Sequence, residues 1–179
     1  MLRRRMCGFL VFGLLGLTSC GSDPGVESGL DCAGNWQWQS FESTLLSLIN
    51  TQRGEGYSCK GEPFVTSSPL ADTNALSTAA RCHSLDLVER AYFDHQGKDG
   101  SWPTDRVKAL GYETHGVAEN IAAGNEGHTA EKVLNQWLDS PPHCVNLMNP
   151  RYTKSGLGHV VNDDINPDAW PTITTLVLE

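Results

Sequence analysis

Four cysteines, Cys32, Cys59, Cys82 and Cys144, follow an amino-terminal leader, and that combination limits the possible folds more than any other feature of the chain. The leader is Met1-Leu2-Arg3-Arg4-Arg5 and then an apolar run from Met6 to Leu17. A positive segment followed by a hydrophobic one is the layout of a secretory signal. The run is too short to cross a bilayer as a helix, which takes about 20 residues. An even number of cysteines in an exported domain reads as two disulfides, with three possible pairings. None of the spacings is that of a zinc finger, so a cysteine metal site is not expected.

The leader ends in Leu17-Thr18-Ser19-Cys20, which resembles a bacterial lipobox. Residues 1–19 are expected to be removed and Cys20 to carry lipid. Two or three acyl chains anchor stably, since each buried methylene adds about 0.8 kcal/mol. Ser22 stands where an aspartate would resemble an inner-membrane retention signal, so the outer membrane is expected where the organism has one. Residues 20–31 are rich in Gly, Ser and Asp and read as a flexible tether. Residues 32–179 then form one extracytoplasmic domain, large enough for a real core. Without the leader, Lys plus Arg falls from 13 to 10 against 21 acids, a net charge of −11. Such a surface excludes nucleic acid as a partner.

Apolar periodicity places four helices. Ser40 can cap one that carries Phe41, Leu45, Leu48 and Ile49, stopped by Gly54 and Gly56. Asp72 can cap a second to about Arg90, with Leu76, Ala79, Ala80, His83 and Leu87 as its stripe. Pro103 to Leu110 reads as a short third, with Pro103 in its first turn. Thr129 can cap a fourth, with Val133, Leu134 and Trp137 inward, ending at Pro141-Pro142. Strands are expected at 156–161, 172–178 and 117–123. Helices first and strands late predict an α+β layered domain.

The chain has no Gly-x-Ser-x-Gly elbow, Walker loop, dinucleotide glycine fingerprint or His-Glu-x-x-His. Of the six histidines none forms a ligand pair on one helical turn, so a site must be assembled by the fold. His83 lies on a helix stripe and reads as a half-buried structural histidine. Asn120 and Asn146 read as braces for loops. His115, His128 and His159 receive no role.

An ordered set of fragments carries a resemblance. It begins with Phe41-Glu42 through Leu48-Ile49-Asn50-x-x-Arg53, then Ala79-Ala80-Arg81-Cys82-His83 and Tyr92-Phe93-Asp94-His95. Asp105-Arg106, Glu119-Asn120-Ile121 and Ser140-Pro141-Pro142-His143-Cys144-x-Asn146 follow, then Gly156-x-Gly158. From about residue 40 to 161 the chain resembles the bacterial branch of the CAP, or SCP, superfamily of cysteine-rich secretory, antigen 5 and pathogenesis-related proteins. The resemblance implies an α-β-α sandwich with a central, mainly antiparallel sheet, and a cleft lined by two histidines and two acids. His95 and His143 match the histidines, and Glu119 matches the first acid, with Ala118 in place of a glycine. The second acid falls at Ser140, with Asp139 one place earlier; a serine could hydrogen-bond there but ligates zinc poorly. The resemblance also implies Cys59 paired with Cys144 and, with it, Cys32 with Cys82.

These matches imply a binding module first: His95 and His143 with water could hold a divalent cation such as zinc, or the cleft could hold a small polar ligand. A metal-assisted hydrolase with Glu119 as base is the second expectation. A lipid- or sterol-binding surface protein is the third.

Overall fold

The computed structural model describes Cys32 and residues 40–179, all within the compact unit Asp31–Glu179. The expected leader, Cys20 and the tether lie outside the described residues. In order, the elements are α1 (Ser40–Glu55), β1 (Tyr57–Cys59), β2 (Glu62–Phe64), β3 (Ala71–Asp72) and α2 (Asn74–Glu89). Then come α3 (Pro103–Ala109), β4 (Ala118–Gly124), α4 (Ala130–Asp139), α5 (Pro141–Met148), β5 (Lys154–Val161) and β6 (Thr172–Leu178).

One sheet runs in the order β3-β5-β6-β4, parallel between β3 and β5 and antiparallel elsewhere. All of β6 is buried, so both faces of the sheet are covered. Side chains of a strand alternate between faces, and the core divides accordingly. On one face Leu76, Ala79 and Ala80 of α2 and Val107 of α3 meet Val177, while Leu85, Leu87 and Val88 meet Ile121, Val160 and Ile173. On the other, Leu45, Ile49, Val133, Trp137 and Leu147 of α1, α4 and α5 meet Ala122, Leu157, Leu176 and Leu178. These are the three layers of an α-β-α sandwich.

Two glycines let the layers close. A Cβ on Gly156 would lie 2.0 Å from the backbone of Leu76 and Ser77, and one on Gly158 would lie 2.3 Å from the Arg81 nitrogen. The backbone of α2 therefore rests directly on β5. Among the described residues, no strand pairs with the outer side of β5 beyond Ser155, since β3 pairs only with Lys154 and Ser155. Glu42 takes that place: its Oε1 accepts from the backbone N–H of His159 at 3.2 Å, and Arg81 grips both its oxygens at 3.2 and 2.9 Å. The Asn-x-x-Arg fragment of α1 is likewise structural. Asn50 exchanges two bonds with the backbone of Leu70, and buried Arg53 donates to the carbonyls of Ser68, Leu147, Asn149 and Tyr152.

The structure corrects several local expectations. Thr73, not Asp72, is the cap residue of α2, and Asp72 instead accepts from the Ser77 hydroxyl at 2.5 Å. Ser40 is already helical. The hairpin β1–β2 and the two-residue β3 were not expected, being too short to show alternation. Pro141-Pro142 ends α4 but also starts α5, because a proline in the first turn gives up only an N–H that has no partner there. Both disulfides, Cys32–Cys82 and Cys59–Cys144, are formed.

Candidate functional site

The site is built at β4, an edge strand, and strand alternation sends its neighbours to opposite layers. Glu119 points to the α2 layer and Asn120 to the α5 layer. Each then fixes one histidine.

Glu119 is 7 % exposed and both of its oxygens are engaged. Oε1 accepts from His95 Nδ1 at 2.9 Å, and Oε2 accepts from Arg106 Nη2 at 2.6 Å. A carboxylate facing Nδ1 keeps the proton on that nitrogen, so the neutral ring turns its Nε2 lone pair outward. Arg106 comes from α3, which opens on Pro103 and on the Trp102 N–H bonded to Asp105. The same guanidinium donates to the carbonyls of His95 and Ser101, both at 3.1 Å, so it holds the His95 loop as well as the acid. His83 of α2, 1 % exposed, backs the group. Its Nε2 donates to the Asp94 carbonyl at 3.0 Å and stands 3.7 Å from Glu119 Oε1. Burial holds the His83 imidazole below its usual range, against the pull of Glu119.

On the other layer, Asn120 donates to the His143 carbonyl at 3.0 Å and accepts from Asn146 at 2.9 Å. These bonds seat the first turns of α5 on β4, as the bracing role expected of both asparagines requires. The neighbouring Cys144, fully buried, ties α5 to the β1–β2 hairpin. His143 is half-buried, and its Nδ1 is buried without a hydrogen-bond partner. Its imidazole is held below the usual range, first by burial and then by its electrostatic interaction with His95.

His95, Glu119 and His143 are thus brought to one region, with His95 and His143 both partly open to solvent. Ser140 and Asp139 are not joined to them. Ser140 is the joint between α4 and α5, its carbonyl accepting from Cys144 N at 2.8 Å and its side chain making no cap bond. Asp139 is exposed at the end of α4. Neither side chain is hydrogen-bonded to the histidines or to Glu119 among the described residues. Arg106 went unassigned in the sequence. The available signal was Glu119 itself: a carboxylate beside the apolar run Ile121-Ala122-Ala123 must be buried, and a buried acid needs a cation.

A tightly held metal ion does not fit these residues. Among the described residues no group of three or more His, Cys, Asp or Glu side chains is placed to hold one. Glu119 is committed to Arg106 and His95, which leaves two imidazoles and water.

Comparison with known proteins agrees with this architecture. The chain is 37% identical over 126 residues to the uncharacterized protein YkwD of Bacillus subtilis, an alignment covering 70% of this chain and 45% of YkwD. The fold matches that of an extracellular SCP-domain protein from Bacillus anthracis, with a TM-score of 0.61, 23% identity, and 76% of this chain and 39% of that one covered. It also matches an outer surface protein of Borrelia burgdorferi, with a TM-score of 0.60, 22% identity, and 76% and 90% covered. This chain thus spans less than half the length of two of these three proteins. Residues 46–175 match the model of the cysteine-rich secretory protein family, and with its three layers and its His95–Glu119–His143 grouping the chain belongs to that CAP family.

Proposed function

We propose that this domain works outside the cytoplasm as a binding module, presenting the imidazoles of His95 and His143 to a small polar ligand. The observation that carries this is the double engagement of Glu119, at 2.9 Å by His95 and 2.6 Å by Arg106. An acid held in this way orients an imidazole; with one hydrogen bond on each oxygen and the residue 7 % exposed, little of it is open to an attacking water. That weighs against a hydrolase with Glu119 as base. A divalent cation such as zinc would use the same two nitrogens, weakly and in exchange with water.

Zinc is therefore a probe for the two lone pairs. Titrated with zinc chloride and followed by histidine side-chain NMR, His95 and His143 should shift together in fast exchange. Both shifts should vanish in His95→Ala and in His143→Ala. Silence of both rings would defeat the reading, and so would tight binding through a further protein ligand. Hydrolysis of a peptide and ester library that disappears in Glu119→Gln would favour the enzyme instead.

Export is supported by the leader, by the two disulfides and by relatives described as extracellular and outer-surface proteins. Lipid on Cys20 would anchor the domain to a membrane. Cells fed labelled palmitate should label the wild-type protein and not Cys20→Ser.

A further inference from the structure

The two disulfides stand in different surroundings. Cys59–Cys144 is sealed: its cysteines are 4 % and 0 % exposed and belong to the core beneath α1, α4 and α5. Cys32 and Cys82 each keep part of their surface in solvent. Cys82 also lines a cavity of about 290 Å³ between α2 and α3. Ala79 and His83 flank it there, and Arg90, Asp99 and Leu110 form an exposed rim. Cys32 does not line this cavity.

Thiol–disulfide exchange requires that an incoming thiolate reach one of the two sulfurs, and exposed disulfides are the labile ones. The sealed bond gives no such access unless the core opens, which costs much of the global stability. The partly exposed bond gives it, and a thiolate entering the cavity meets Cys82 first. Breaking this bond also leaves α2 where it is. Gly156 and Gly158 set the backbone of α2 directly on β5, and Leu76, Ala80, Leu87 and Val88 are buried against the sheet. His83, the next residue, is held separately by the Asp94 carbonyl at 3.0 Å.

We propose that Cys32–Cys82 is an exchangeable disulfide, a modification site at which an external dithiol releases residue 32 from α2, while Cys59–Cys144 is permanent. A thiolate of the dithiol attacks Cys82 Sγ. A new S–S bond forms there as the Cys32–Cys82 bond breaks, and Cys32 leaves as a thiolate that takes up a proton. The second thiol of the dithiol then attacks its own sulfur in the mixed disulfide, and Cys82 leaves as a thiol. The dithiol is oxidised to a cyclic or intramolecular disulfide and the two cysteines are reduced. The exchange acts on the link between residue 32 and α2, and it stands whatever the His95–His143 cleft binds.

The test uses the full chain in native buffer. Dithiothreitol is added at graded concentrations, free thiols are trapped with iodoacetamide, and the alkylated peptides are quantified by mass spectrometry. Cys32 and Cys82 should be trapped together, about tenfold or more faster than Cys59 and Cys144. The histidine side-chain NMR spectrum of the partly reduced protein should remain that of the folded chain. Cys32→Ser, which leaves Cys82 as a free thiol, should react with 4,4′-dithiodipyridine without denaturant and carry the mixed disulfide on Cys82. Equal trapping of the two pairs, trapping only in urea, or loss of the folded spectrum as Cys32–Cys82 opens would overturn the proposal. So would a Cys82 thiol that stays unreactive in folded Cys32→Ser.

Discussion

Truncating Arg106 to alanine would leave the Glu119 carboxylate buried without its 2.6 Å partner and would release the carbonyls of His95 and Ser101. Removing one partner of a buried ion pair costs about 3–5 kcal/mol. Urea denaturation of Arg106→Ala should show a loss of that order. Adding Glu119→Gln to it should cost less than the two single changes summed, since the second removes the stranded charge. At this scale the sequence was legible where ordered fragments named residues, as they did for His95, Glu119 and His143. Arg106 stood in the Asp105-Arg106 fragment without a role, and His83 was read only as a stripe residue. A contact between a strand and a loop-borne helix has no period along the chain, so neither pairing with Glu119 could be seen before folding.

Elements packed at backbone contact show what the Gly-x-Gly fragment is for. Any side chain at Gly158 must displace the backbone of α2, because the nearest atoms are main-chain atoms of Ala80 and Arg81. Ordinary overpacking costs about 1–3 kcal/mol, and Gly158→Ala should destabilise by at least that much, read as a lower denaturation midpoint with an unchanged slope. Gly54, which meets nothing within 4 Å, should accept alanine with little effect. The long helices and β4, β5 and β6 were readable because each buries a periodic face. The two helices joined at Ser140 were not, because Pro141-Pro142 carries the same stop signal whether or not a new helix begins there. Its capacity to start α5 matters for the site, since α5 is what carries His143.

The whole molecule keeps several imidazoles from protonating, and this ties its stability to pH. His83, His128, His143 and His159 are all held below the ordinary 6.5, each with burial as the largest cause. The unfolded chain then binds these protons at a higher pH than the folded one, so stability is full above about pH 6.5 and declines as acid is added. For His159 the window runs from 6.5 to about 4. At 1.36 kcal/mol per unit that is about 3 kcal/mol. Melting curves should show the drop over this range, and His159→Gln should flatten it. Flat curves for both proteins would contradict the burial of the ring.

The Cys32–Cys82 bond has a mechanical meaning. A pull applied at Cys32 passes through a covalent bond to Cys82 in α2. The strain is delivered to the helix lying on β5, one residue from His83, and residues 33–39 are bypassed by the load. Load entering there reaches α2 without passing along α1, which lies inside the loop that the disulfide closes.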